Sequence, residues 1–176
     1  MRIQRQARRR AGATTVEFAF VAILLFMLVF AIFEYGRYLF VYHMATNAAR
    51  DAARFACVHT SGGTMPGEPA AITTANVVGV WQTGMFNGQQ YGTGMCGMEN
   101  QITGWTVNVF AVTDTNLYAS PPDLTPGHGV AWTSAAFHQQ IAVQVTGTYQ
   151  PIVPSLIGLN SSVPFSVTVL MGSEAN

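Results

Sequence analysis

An unbroken apolar run from Phe18 to Phe33, with the carboxylate of Glu17 at its threshold, constrains this chain more than any other feature. Sixteen residues at about 1.5 Å each reach about 24 Å, slightly short of the roughly 30 Å hydrocarbon core of a bilayer. Thr14–Val16 on one side and Tyr35–Tyr42 on the other extend the run through both interfaces. A carboxylate at the edge of such a run is costly, so its position carries functional meaning.

The charges flanking the run are strongly unequal. Residues 1–12 hold five arginines (Arg2, Arg5, Arg8, Arg9, Arg10) and no acid, and the chain has no lysine. Beyond Arg54 the only formal charges are Glu68, Glu99, Asp114, Asp123 and Glu174. Basic residues before the run place the N-terminus in the cytoplasm and the remainder on the opposite side. Loss of residues 1–12 would leave three arginines against eight acids, a net of −5. That leaves no basic patch for phosphate, which argues against a nucleic-acid partner. An ordinary secretory signal peptide also has a basic start and an apolar core. Its cut site needs small residues, however, and Phe33-Glu34-Tyr35-Gly36-Arg37 follows the run, while the later site at Thr46-Asn47-Ala48 lies far from the apolar core.

Helical character continues past the apolar stretch. From Glu34 to Ala56 there is no proline, and Gly36 is the only glycine. Tyr35, Tyr38, Tyr42, Ala45, Ala49, Ala52 and Ala56 recur at alternating three- and four-residue steps, a seam that lets another backbone approach closely. His43, Asn47, Arg50 and Arg54 follow the same steps on a solvated face. One helix of about 60 Å over residues 14–56 is expected. Its seam packs either on the chain's own C-terminal region or on a partner helix. Glu34 and Arg37, three residues apart at the other membrane edge, read as an interfacial pair that marks the end of the span, Asp51 and Arg54 are similar, and surface pairs of this kind contribute about 0–1 kcal/mol.

Ser61-Gly62-Gly63 and Pro66-Gly67 end that helix, and Ala70 to about Gln82 reads as a short second one. Gly84–Gly97 is a glycine- and methionine-rich loop. The period then changes to two, giving strands around Trp105–Val112, Ile141–Tyr149 and Phe165–Met171. The expected fold class is α+β: a long N-terminal helix, membrane-spanning in its first half, packed on a small antiparallel β-sheet. The expected organisation is a leader at 1–12, the long helix at 13–56 and an α+β domain at 57–176.

Few residues suggest chemistry. Cys57 and Cys96 both fall on the non-cytoplasmic side, where disulfides persist. A bridge between them would close a loop worth about 4 kcal/mol in the chain-entropy view, with two free thiols as the alternative. His43, His59, His128 and His138 have no metal-ligand spacing, so no metal and no cofactor are expected. Nucleophile-elbow, phosphate-loop and dinucleotide patterns are absent from the sequence, and no enzyme is expected. Trp81, Trp105 and Trp132 read as core or interface aromatics.

Three segments carry a family resemblance. Arg8-Arg9-Arg10-Ala11-Gly12-Ala13-Thr14-Thr15-Val16-Glu17-Phe18 resembles the cleavage region of type IV pilin-like precursors. Phe33-Glu34-Tyr35-Gly36-Arg37 leading to Ala48-Ala49-Arg50-Asp51-Ala52-Ala53-Arg54-Phe55-Ala56 adds to it, as does, more weakly, the stretch from Ile141 through the last strand. Together they resemble a TadE-like minor pseudopilin of the tight-adherence (Flp pilus) assembly system. The resemblance covers most of residues 8–56 and leaves 57–140 unmatched. It departs from conventional pilins at Ala13, where a phenylalanine is usual, and in lacking an arginine near the C-terminus.

The resemblance implies cutting by a prepilin peptidase between Gly12 and Ala13, with Glu17 and Phe18 serving assembly. It also implies an inner-membrane pool, a periplasmic C-terminal domain and possible incorporation into an extracellular pilus. The implied partners are other pilins or minor pseudopilins and the pilus assembly platform, and the implied role is in initiating, priming or regulating a pilus used in attachment and biofilm formation. The competing expectations are a pseudopilin of another secretion machine and a membrane-anchored periplasmic binding module using loops 84–100 and 119–130.

Overall fold

Helix α1 runs without interruption over Gln4–Val58, 55 residues. The computed structural model in which it is seen describes residues 4–60, 72–152 and 160–174. Alanine, leucine and aromatic residues carry the helix, and its two glycines, Gly12 and Gly36, lie in open space where an added Cβ would meet nothing within 4 Å. Glycine in a helix interior costs about 1 kcal/mol relative to alanine, which a helix of this length absorbs.

After α1 come α2 (Thr74–Thr83), a two-residue-per-strand hairpin of β1 (Met85–Phe86) and β2 (Gln89–Gln90), and a 3₁₀ turn at Met98–Gln101. Strand β3 (Ile102–Ala111), the single-turn α3 (Asp114–Leu117), a 3₁₀ turn at Trp132–Ser134, β4 (Gln140–Tyr149) and β5 (Val163–Gly172) complete the chain. The breakers at Ser61–Gly63 and Pro66–Gly67, the expected start of the second helix at Ala70 and the Pro154–Gly158 part of the last connection lie outside the described residues.

Contacts divide the chain into two units: Met1–Tyr38 with Pro151–Ser161, and Leu39–Gln150 with Ser162–Asn176. In the first unit the apolar helix is uncovered from Val16 to Phe33, with only Ala22, Val29 and Ala31 partly shielded by their neighbours.

The second unit is an α+β arrangement. Strands β3, β4 and β5 form an antiparallel meander in that order. The register places Val107, Val145 and Val167 in one row and Val109, Val143 and Val169 in the next, so one face is lined by β-branched side chains. Ile141, Val143, Val145, Phe165 and Val167 on that face are buried. The opposite face is split. Thr106 and Thr146 share a hydrogen bond at 2.8 Å, and Gln144 donates to Thr168 at 3.4 Å, on its wet part. Phe110, Ala142 and Val112 form its dry part, with Leu117 of α3 and Leu124 packed on them.

The outer half of α1 is buried within this unit. Val41, Ala45, Ala48, Ala49, Ala52, Ala53 and Ala56 have essentially no exposed surface. Tyr42 meets Phe165 of β5 edge-on, with ring centroids 5.9 Å apart. Phe55 packs edge-on against Phe86 at 5.0 Å and Tyr91 at 4.9 Å. The helix is therefore contacted from two directions, by the sheet and by the hairpin, and small side chains are needed on a broad stripe. His43, Asn47, Arg50 and Arg54 are exposed.

Local chemistry fixes the pieces between. Asn76 accepts the Thr73 N–H at 2.8 Å and closes the start of α2. Gly84 ends that helix at φ +71°, and its N–H donates to Val80 O at 2.7 Å. A Cβ on Gly84 would run into the Gly92 backbone, so glycine is required by both conformation and space. Trp81 is fully buried against Trp105, with centroids 5.0 Å apart, and Trp132 is buried with its indole N–H donating to Thr74 Oγ1 at 3.1 Å. All three tryptophans thus serve packing. Both outer strands have guarded ends: Ala111 at the end of β3 exchanges backbone hydrogen bonds with Val130, and Pro164 is the second residue of β5.

Because Ala49 and Ala52 have no exposed surface, added methylenes have nowhere to go. Ala49→Leu or Ala52→Leu is expected to destabilise the folded unit by about 1–3 kcal/mol or more. Thermal unfolding of the purified protein in detergent checks this, with Asn47→Leu on the exposed face expected to be near neutral.

Candidate processing and assembly site

The expected cleavage residues lie on the first turns of α1. Gly12, Ala13, Glu17 and Phe18 are all exposed, Phe18 at 71%. Glu17 sits four residues after Ala13 on the same helix, so the two share a face one turn apart. A new amine on Ala13 would stand within reach of the Glu17 carboxylate, which in a helix starting at Ala13 would also offset the positive end of the dipole. Among the described residues, α1 is the helix long and apolar enough to cross a membrane, and its most apolar window has no part buried.

At the other end of the apolar stretch the structure builds a site that sequence spacing only half anticipated. Arg37 Nη2 donates to Glu34 Oε1 at 2.9 Å, as the three-residue step suggests. Glu34 is nevertheless buried, at 6% exposure. Its second oxygen accepts the backbone N–H of Ile152 at 3.3 Å, across 118 positions of sequence. This is therefore no solvated surface pair: removal of one partner of a desolvated ion pair costs about 3–5 kcal/mol. Nothing in the local pattern of either segment signals the contact.

Asp51 behaves similarly. Its link to Arg54 is loose, 4.0 Å with the arginine 69% exposed, whereas its carboxylate accepts the Thr93 N–H at 3.2 Å and ties the loop after the hairpin to α1.

The seam residues separate into two groups. Ala45, Ala49, Ala52 and Ala56 are covered by the chain's own second unit, Tyr38 is half-buried and Tyr42 sits on Phe165 at its rim. Tyr35 is 64% exposed.

The expected Cys57–Cys96 disulfide is not formed; both thiols are free. Cys57 lies on the buried face of α1. Met95 is the residue of its loop that enters the core, so Cys96, one position on, turns outward and its thiol donates to Thr93 O at 2.9 Å. Burial first, and the charge of Glu174 second, push the Cys57 thiol up to about 11.

The histidines remain dispersed. Among the described residues, no three His, Cys, Asp or Glu side chains come together in a group suited to a metal ion. His59 is buried, with Nδ1 2.6 Å from Phe55 O at the end of α1 and its ring 4.2 Å from that of Phe55. His128 Nδ1 lies 2.6 Å from Asp123 Oδ2, and the Thr125 and His128 hydrogen bonds hold Asp123 down to about 2. His138 adopts φ +65° beside Phe137, at the lip of an open cleft shared with Thr113, Asp114 and Gln139.

The free-thiol arrangement predicts unequal reactivity. Under native, non-reducing conditions iodoacetamide should add once, at Cys96, and a second time only after denaturation; intact mass and peptide mapping check this. Resistance of both cysteines to alkylation until reductant is added would restore the disulfide.

Comparisons with known proteins bear on the helix alone. No match is found among curated proteins, nor among solved structures. Residues 12–54, about a quarter of the chain, match the family model described as TadE-like protein, a span that begins at Gly12 and runs through Glu17, the Glu34–Arg37 pair and most of the alanine face.

Proposed function

We propose that this chain is a minor pseudopilin of a tight-adherence (Flp) pilus system, cut after Gly12 and held in the inner membrane by α1 until it acts in pilus assembly. The observation that carries the reading is the TadE-like match over residues 12–54, coincident with an apolar helix left uncovered among the described residues. A glycine at the cut site supports it physically. A peptidase acting on an extended backbone must open the helix at Gly12, and glycine lowers the cost of opening by about 1 kcal/mol relative to alanine. The arginines of the leader hold the N-terminus in the cytoplasm until cleavage removes them. Glu17 then faces the freed Ala13 amine, its own or that of a neighbouring subunit, and low dielectric strengthens the pairing. In this reading the domain beyond Cys57 is periplasmic, the partners are other pilins and the assembly platform, and the chain has no catalytic role.

The cleft beside α3 favours one second reading, a membrane-anchored binding module. Its volume is about 410 Å³, and Asp114, Phe137 and His138 line it. Gly12 and Glu17 separate the two readings, since an anchored module needs neither.

The deciding measurement is the N-terminus of the protein recovered from membranes, by intact mass and terminal peptide mapping, with and without the host's prepilin peptidase. A chain starting at Ala13 only when the peptidase is present is the expected result. Retention of Arg2–Gly12 would leave an uncleaved anchor, and a start near Thr46 would mean ordinary secretion. Glu17→Val should leave cleavage intact but reduce pili on the cell surface about tenfold or more, because a desolvated amine would lose its carboxylate partner. Unchanged piliation in that variant would favour the binding module.

A further inference from the structure

The buried Glu34 carboxylate holds Ile152 beside α1, and the residues around this contact are unusually apolar and uncovered. Ile152 is 70% exposed, and Phe33 and Tyr35, on either side of Glu34, are 72% and 64% exposed. Pro151 precedes Ile152, and neither residue lies in a strand. An isoleucine left exposed while its own N–H is pinned to a buried carboxylate is positioned rather than stray.

Height along the helix identifies what the isoleucine meets. Seventeen residues separate Glu17 from Glu34 on one continuous helix, about 26 Å at 1.5 Å per residue. With Glu17 at the cytoplasmic edge of a core about 30 Å thick, Glu34 lies at the opposite edge. Arg37 and Tyr35 are residue types suited to that boundary, where aromatic rings and long cationic side chains settle. Ile152 is bonded at the same level, so its side chain continues the apolar surface of α1.

We propose that Ile152 is a second membrane contact, seated in the outer interface of the bilayer and held there by the buried Glu34–Arg37 pair. The partner is a lipid surface, recognised by apolar burial at the headgroup–acyl boundary and not by a headgroup charge. Two points of contact would then fix the outer end of α1, the helix itself and the start of the β4–β5 connection. The inference rests on the reading of α1 as a spanning helix.

A site-directed fluorescence experiment on the full chain in nanodiscs tests it. In a Cys96→Ser background, where Cys57 stays buried, an environment-sensitive probe is attached at Ile152→Cys, at Phe26→Cys within the span, or at Phe137→Cys on the folded domain. Lipids bearing a shallow nitroxide are expected to quench the probe at 152 about threefold more than that at 137, with a blue-shifted emission, as interfacial burial requires, while lipids bearing a deep acyl-chain nitroxide quench the probe at 26. Glu34→Ala should lower quenching at 152 towards the level at 137 while leaving the probe at 26 unchanged. Quenching at 26 but not at 152, with aqueous iodide reaching the latter, overturns the interfacial contact and spares the spanning helix. Shielding of 152 from both quenchers means protein covers it and overturns the proposal equally. Absence of lipid quenching at 26 overturns the spanning reading and this inference together. An unchanged signal at 152 in Glu34→Ala overturns the role given to the carboxylate.

Discussion

Close approach of α1 to the rest of its folded unit is the constraint on which the second unit depends. Between Val41 and Ala56 the helix is contacted by β5 on one side and by the hairpin on another. A helix gripped from two directions cannot carry large side chains around so wide an arc, and six alanines meet that demand. Each contributes little area by itself, so the bulk of the hydrophobic stabilisation comes from Phe55 at the end of the helix and from its surroundings: Phe165, Tyr149, Trp81 and the valine rows of the sheet. The helix supplies shape and the sheet supplies apolar surface.

The same helix changes character along its length. From Val16 to Phe33 large side chains point outward uncovered, an arrangement that water penalises and lipid does not. The change falls near Glu34, whose carboxylate is buried and shared between Arg37 and the Ile152 backbone. A charge out of water is stable only with such partners. Helix, ion pair and connection therefore form one local arrangement in which none of the three is dispensable.

Features with a period were legible in the sequence. Alternation at Trp105–Ala111, Ile141–Val145 and Phe165–Met171 marked all three strands of the meander, and the three- and four-residue steps of the alanines marked the helix face that is buried. The uncovered helix followed from the run Phe18–Phe33 alone. Contacts without a period were not legible. Which residue of the Gly84–Gly97 loop enters the core depends on competition between Met95 and Cys96, and sequence spacing does not decide it. Glu34 looked like one half of a surface pair because its second partner is a backbone N–H in a segment 118 positions away. Gly84 and Gly94 read as loop formers, yet the loop folds so tightly that each occupies space the other's side chain would need.

The guarded ends of the sheet have a consequence for how copies of this chain can associate. A three-stranded meander presents two open edges, and an open edge invites another strand. Here β3 ends in backbone bonds to Val130, while the second residue of β5 is Pro164, which has no N–H to offer. Continuous cross-β stacking between copies is thereby discouraged. Any association of copies is left to contacts between side chains, which can be made and released without unravelling a sheet.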